Sequence, residues 1–532
     1  MKGQISTLPW TIFRPFIFAF SFLCIAFGQP GSSTVCSLLT STCAFALFFS
    51  QILDVPAKKR FLSGFFFFSA VQAVQLFWFT YHPFLYIWAV LALLSACIGA
   101  QFGLLCLFIT KKRVHSFVGI LGIASLWTLL EWSRLYWFSG FYFNLVGISL
   151  TATLQSLQCA QFFGVLGLSF WVMFTNMLMF RGWKQASLGV LLPYLIGGII
   201  LTIRTSKQEA FDAKNPLLQS VIVHVKKEPD CISRPKTNPI DAALDDWKEL
   251  IASIAPYYKK PHDLILMPEM SVPFGSNTLI FAKNDIELIF KQYFQTTPQF
   301  SEELLSSEDI AQECANLFRC PIIIGLEGTE RIEGTRKTRF YNSAFFFTPG
   351  GSSPKRYDKQ VLVPMGEYIP FEWAKTLAAN YGIFDSFTPG TSPVLFTSEK
   401  AVIGPSVCYE ETFGNLIRKN RQQGATLLVN LTDDYWFPFS NLDIQHFDHA
   451  RPRTVENGVP MLRSCNFGVS GAIDSLGRVV VAEQGSSITS AFSIALSLYH
   501  YTTLYSIIGD LPLLLFCLFF GVKIIFLKAE KL

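Results

Sequence analysis

The chain is 532 residues long, 51% of them hydrophobic and 15% aromatic, with a formal net charge of +5 and a mean hydropathy of +0.37. That composition excludes an ordinary soluble globular chain. The small positive excess is partly accounted for by basic residues between apolar runs, so it gives no sign of a nucleic-acid partner.

A helix needs roughly 20 apolar residues to cross about 30 Å of hydrocarbon. Such runs are confined to the first two hundred residues and the last thirty. Seven candidate spans come first, at about 9–28, 34–53, 61–80, 84–110, 114–133, 159–180 and 186–203, and an eighth covers about 500–527. Arg14 interrupts the first, and its run Pro15–Phe27 has the length of a signal-peptide core. A second span follows after only a Gln29-Pro30-Gly31 turn, which favours a retained helix.

Basic residues mark alternate loops: Lys2, Lys58-Lys59-Arg60, Lys111-Lys112-Arg113, Arg181 with Lys184, and Lys528 with Lys531. All fall on one side if eight helices are drawn with both ends inside, which sends the middle of the chain outside. The expected organisation is therefore a helical membrane domain over 1–203, an extracytoplasmic domain over 204–499, and a last helix with a cytoplasmic tail over 500–532. Of the 12 cysteines, Cys24, Cys36, Cys43, Cys97, Cys106, Cys159 and Cys517 lie in apolar spans, where they read as small buried hydrophobes. Cys231, Cys314, Cys320, Cys408 and Cys465 remain, with no zinc-type spacing and an odd number that leaves one thiol over.

The middle domain alternates short apolar strands with helical stretches. Strands are expected at Gln219–Val225, Asp263–Pro268, Pro321–Gly325, Ser343–Thr348, Ala401–Val407, Thr426–Asn430 and Gly468–Asp474. Helices are expected at Asp241–Ala255, Asp309–Phe318, Glu411–Gln423 and Asp443–Asn457. That alternation argues for a layered α/β domain with function at the strand ends. Three ends carry reactive groups: Met267-Pro268-Glu269, Tyr357-Asp358-Lys359 and Cys408-Tyr409-Glu410. Each alone is an ordinary loop residue; together they are a constellation.

These residues resemble the nitrilase, or carbon–nitrogen hydrolase, superfamily with its Glu-Lys-Cys triad, in the same chain order: Glu269, Lys359 in YDKQVLVPMGEYIPFE, and Cys408 in VCYEETF. The likeness is greater to its membrane-embedded branch, the apolipoprotein N-acyltransferases, in LVPMGEYIPFE, DDYWF and ARPRTVENGVPMLRSCNFGVSGAID. Two places depart from that branch: Asp433 stands where an Asn is usual, and Phe467 replaces the second Asn of an Asn-Asn-Gly. The resemblance implies an αββα sandwich beside a multi-span helical domain. It also implies N-acyl transfer from a membrane phospholipid to the free α-amine of a diacylglyceryl-modified apolipoprotein, at the outer face of a bacterial inner membrane. No cofactor, metal or nucleic acid is expected, and Glu367, Tyr409 and Glu410 would support the triad.

The chemistry can be built from the residues upward. A thiol is mostly protonated at neutral pH, so Cys408 needs a base, and Glu269 can be that base. Lys359 can stabilise an oxyanion, leaving an acyl thioester on Cys408 that an amine then takes. A diacyl donor asks for apolar loops near the site, and Phe274, Trp373, Trp436 and Phe437 are the candidates, with core packing the alternative for each. His446 and His449 invite a metal or Cys–His reading, but no third ligand stands at helical spacing. Two other function classes stay open: a membrane-tethered amidase in which water attacks the thioester, and a non-enzymatic scaffold.

Overall fold

A computed structural model describes residues 8–137, 140–225, 238–335, 337–369, 386–484 and 488–526. The chain divides into two compact units. One comprises Met1–Trp137, Phe141–Ile203 and Thr503–Leu532, the other Phe138–Gly140 and Arg204–Thr502.

The first unit is helical. Its principal helices are Leu8–Ala26, Ala57–Gln75, Tyr86–Cys106, Phe117–Ser133, Ala160–Leu178, Leu511–Phe526 and the composite Thr34–Ile52, with the first part of Trp183–Asp212. By length and composition Thr34–Ile52, Tyr86–Cys106, Ala160–Arg181 and Trp183–Asp212 are long and apolar enough to cross a membrane, and Phe13–Ala26 and Leu511–Phe526 are shorter apolar helices. Aromatic stacking knits the interior. Phe68 lies 4.3 Å from Phe102, Phe48 lies 4.1 Å from Phe67, and Trp127 meets both Phe68 and Phe102 edge-on at 5.5 Å. One buried amide inside this apolar bundle, Asn176, is matched on both its oxygen and its nitrogen. Asn176 donates to the Thr40 carbonyl at 3.1 Å and accepts from the Ala46 amide at 3.1 Å. The side chain thereby enters the backbone ladder at the π-helical turn Thr40–Ala44.

The second unit is built on fourteen strands among the described residues. They are β1 (Leu218–His224), β2 (Leu264–Leu266), β3 (Phe281–Ala282), β4 (Leu304–Leu305), β5 (Ile322–Arg331), β6 (Thr338–Phe347), β7 (Lys355–Asp358), β8 (Phe396–Thr397), β9 (Val402–Val407), β10 (Leu427–Asp433), β11 (Met461–Asn466), β12 (Val469–Ile473), β13 (Val479–Gln484) and β14 (Ser490–Leu496). Two six-stranded sheets result, in the orders β14-β1-β2-β5-β6-β7 and β13-β12-β11-β10-β9-β8, with β3 and β4 as a separate pair. At the heart of each, three parallel strands run side by side: β1, β2 and β5, and β9, β10 and β11.

Period-two alternation explains the layering. Ile265, Ile322 and Ile324 pack outward on the helices Pro239–Ile254 and Ser307–Phe318. Their neighbours Leu264, Leu266 and Ile323 face inward, meeting Ile403, Val407, Val429 and Leu431 of the other sheet. On the far side Leu428 and Met461 pack with Ile417, Phe447 and Ala450 of the helices Gly414–Gln422 and Leu442–Asn457. Strands buried on both faces read as unbroken apolar runs, as parallel sheets require. The result is the αββα sandwich that the resemblance implied.

Candidate active site

The three reactive strand ends converge. Glu269 follows β2, Lys359 follows β7 and Cys408 follows β9. Lys359 is buried, with its Nζ 3.4 Å from Glu269 Oε1 and 2.8 Å from Glu367 Oε1. The Cys408 thiol, half-buried, interacts with the Glu269 carboxylate and the Lys359 ammonium. The turn that carries Glu269 presses against the next strand, where Gly325 donates its amide to the Pro268 carbonyl at 3.0 Å. A β-carbon on Gly325 would stand 2.5 Å from the Glu269 Cα, so the close approach needs glycine.

Charge sets the protonation states. Burial pushes the Glu269 carboxyl up from its ordinary value, the nearby Glu367 adds to this, and Lys359 and the Asn342 hydrogen bond pull against it. For Lys359 burial alone would lower the pKa, but the Glu269 and Glu367 carboxylates more than reverse it and hold the ammonium charged. Burial and the Glu269 charge raise the Cys408 thiol well above its usual value, with Lys359 opposing. The resting site therefore holds a thiol beside a base rather than a preformed thiolate.

Glu367, Glu410 and Tyr409 lie near these three. Glu367 accepts from Lys359 and, through Oε2, from the Val363 amide at 2.8 Å, so it fixes the ammonium. Glu410 is fully buried and accepts from the amides of Val407 (2.8 Å), Gln360 (2.6 Å) and Val361 (3.1 Å) and from the Tyr357 hydroxyl (2.9 Å), lacing the Cys408 turn to the loop that carries Lys359. Tyr409 packs its ring edge-on against Phe413 at 5.0 Å. Cys408 itself is held at φ +52°, a left-handed conformation that costs a non-glycine residue about 1–2 kcal/mol.

Of the apolar loop residues, Phe274 is 36% exposed and Trp436 is 45% exposed, while Phe437 is half-buried. Trp373 lies outside the described residues. His446 is buried against Asp434 and Glu411, with Nδ1 2.7 Å from Asp434 Oδ1. Among the described residues no cluster of three or more His, Cys, Asp or Glu is arranged to hold a metal.

Sequence reasoning missed three asparagines. Asn342 on β6 uses one amide group to bridge both carboxylates, donating to Glu269 Oε1 at 2.6 Å and to Glu367 Oε1 at 2.7 Å. Asn430 on β10 donates to the Cys408 carbonyl at 3.1 Å, and Asn466 on β11 to the Glu269 carbonyl at 2.8 Å. The available signal was a polar residue inside an apolar run, such as Asn342 within Tyr341–Phe347.

Residues 8–178 match the family profile "Apolipoprotein N-acyltransferase N-terminal domain" and residues 232–497 match "Carbon-nitrogen hydrolase". The chain is similar to the apolipoprotein N-acyltransferase of Chlamydia caviae, 32% identical over 98% of this chain and 100% of the relative. It is similar also to that of Chlamydia pneumoniae, 31% identical over 95% of this chain and 96% of the relative. Among solved structures, the carbon–nitrogen hydrolase of Helicobacter pylori G27 aligns at 15% identity and a TM-score of 0.36, over 53% of this chain and 89% of that one. The chain belongs to the apolipoprotein N-acyltransferase family of membrane acyltransferases.

Proposed function

We propose that Cys408 is the acyl carrier of a two-step N-acyl transfer, with Glu269 as general acid–base and Lys359 as oxyanion stabiliser. The single observation that supports this most is the meeting of all three side chains. Glu269 Oε1 accepts from Asn342 and Lys359, Oε2 accepts from no described residue, and the carboxylate as a whole interacts with the Cys408 thiol. One carboxylate oxygen is thus anchored and the other is left to move a proton.

In the first step Glu269 accepts the thiol proton while sulfur attacks the ester carbonyl of a membrane phospholipid. The ammonium of Lys359 stabilises the developing oxyanion. As the C–O bond breaks, Glu269 returns the proton to the departing lysophospholipid, leaving a thioester. In the second step the free α-amine of a diacylglyceryl-modified N-terminal cysteine attacks, its proton goes to Glu269, the C–N bond forms, and the C–S bond breaks as Glu269 passes that proton to sulfur, restoring the thiol and the carboxylate. Glu367 holds the lysine, Glu410 holds the nucleophile turn, and Phe274, Trp373, Trp436 and Phe437 offer the apolar surface for acyl chains.

The same reading gives a multi-pass protein of the bacterial inner membrane, with eight spans in 1–203 and 500–532 and the catalytic domain on the periplasmic side. Reporters fused after Lys207 are then expected outside and those after Lys112 inside; both on one side would break the eight-span scheme.

The chemical test is mass spectrometry of the protein after exposure to phospholipid alone. A hydroxylamine-sensitive acyl group is expected on Cys408, absent from Cys408→Ala, and it should discharge when an acceptor peptide with a free lipidated N-terminal cysteine is added. An adduct that decays as fast in plain buffer would make the protein a hydrolase instead.

A further inference from the structure

Behind the nucleophile turn lies a second set of buried charges that the two-step reaction does not use. Glu411, three residues after Cys408, Asp434 just beyond β10, Arg463 on β11 and His446 on the helix Leu442–Asn457 are all buried. Every nitrogen of the Arg463 fork is engaged. Nε lies 3.0 Å from Glu411 Oε1, one terminal nitrogen 3.2 Å from Asp434 Oδ2, and the other donates to the Val469 carbonyl. His446 closes the ring, with Nδ1 2.7 Å from Asp434 and Nε2 3.1 Å from Glu411.

We infer that Arg463 is a positioning residue for the acyl transfer, clamping Glu411 so that the turn at Cys408 is held in its left-handed conformation with the thiol turned to Glu269. The inference rests on the reading of Cys408 as the nucleophile.

Three observations support it. The left-handed backbone of Cys408 is strained and persists only where surrounding contacts over-determine it. Those contacts arrive from both sides of the turn, since Glu410 ties it to the lysine loop and Glu411 ties it to β11. Arg463 also grips Asp434 and the Val469 carbonyl, so the clamp is anchored on the sheet itself rather than on a loop. The electrostatics agree. For Arg463 burial would lower the pKa, but the Glu411 and Asp434 charges outweigh it and keep the guanidinium charged. For Asp434 burial would raise the pKa, but His446 and Arg463 outweigh it and hold the carboxyl far below its usual range. A planar fork that holds two carboxylates and a carbonyl at once is a task a lysine cannot perform.

The test compares the full-length protein in detergent with Glu411→Leu/Arg463→Met and with Glu411→Gln. Replacing both partners of a buried pair by apolar groups avoids a stranded charge, and Asp434 keeps His446. The readout is the rate of Cys408 alkylation by iodoacetamide against pH, followed by peptide mass spectrometry, with buried Cys314 as the internal gauge of intact folding. Per folded molecule the double variant should alkylate and form the acyl adduct roughly 10- to 100-fold more slowly, a loss of the size that misplacing a reacting group produces. The KM for dioleoyl phosphatidylglycerol in mixed micelles should be unchanged, since the clamp touches no substrate.

Glu411→Gln, which keeps a weaker neutral acceptor for Arg463, should fall between the double variant and wild type, and it decides the matter if the double variant does not fold. Variants that react at the wild-type rate with only a lower unfolding temperature would reduce the cluster to a stability element and overturn the inference. A wild-type protein that forms no acyl adduct on Cys408 after exposure to phospholipid would instead sink the nucleophile reading, and the inference with it.

Discussion

The catalytic unit contains two buried charge clusters of similar composition. On the first sheet Lys359 serves Glu269 and Glu367; on the second Arg463 and His446 serve Glu411 and Asp434. The difference lies in what stands beside the spare oxygen. Glu411 and Glu269 each keep one carboxylate oxygen without a hydrogen-bond partner among the described residues, but a guanidinium fork and an imidazole grip the second set, whereas a single ammonium is divided between the carboxylates of the first and Glu269 lies beside the Cys408 thiol. Buried carboxylates gripped by fixed cations make a scaffold, and one beside a thiol makes a site for chemistry.

The largest break in that contrast should come from the shared ammonium. Lys359→Met is expected to slow formation of the Cys408 adduct by roughly 10²–10³, the usual loss for an oxyanion donor. Single-turnover acylation with a phospholipid donor measures it, and a fall of under about tenfold would assign oxyanion stabilisation elsewhere.

A buried polar contact with no chemistry sharpens the comparison next. His224 on β1 meets the Ser470 hydroxyl on β12 at 2.9 Å, joining the two sheets, and burial lowers its pKa to about 4. A histidine depressed in the folded state favours folding fully above its unfolded value, and that stability is lost as pH falls from about 6.5 towards 4, worth up to about 3 kcal/mol. Thermal unfolding in detergent should show the decline, and His224→Gln should flatten it; an equal decline in the variant would assign the acid lability to other groups.

Asn342 tests the first cluster directly. Its hydrogen bond lowers the Glu269 pKa, so Asn342→Ala should move the acidic limb of the kcat/KM profile to higher pH and slow acylation by roughly tenfold. An unshifted limb would remove Glu269 from the titration. The smallest effect is expected at the half-buried Phe437, where Phe437→Asp should weaken use of long-chain donors a few-fold and leave short-chain donors unchanged. An equal loss on both donor classes would take Phe437 out of the lipid path.

How much of this could be read from the sequence follows from where the polar residues point. β2 and β9 are apolar runs that stop at a carboxylate and a thiol, so both strands and both reactive ends stood out. The strand β11, Met-Leu-Arg-Ser-Cys-Asn, did not, because Arg463, Ser464 and Asn466 are buried polar residues that erase the apolar pattern. The helix Lys283–Phe294 and the strands β13 and β14 also went unread, β13 being largely exposed and without a buried stripe. Within the site, Asn342 bonds Glu269 across 73 residues and Arg463 bonds Glu411 across 52. Partnerships of that span leave no local spacing to detect, whereas Lys359 and Glu367, eight apart, share one loop.

The buried lysine carries a consequence for fidelity. In the proposed thioester an acyl group would rest within the interaction range of a primary amine that belongs to the enzyme itself, and an uncharged lysine there would be acylated, ending the catalyst's life in one turnover. The paired carboxylates keep Lys359 protonated, so its nitrogen has no lone pair to offer. The only amine able to discharge the intermediate is then one that arrives from outside and gives up its proton at Glu269, which makes the enzyme immune to its own product chemistry.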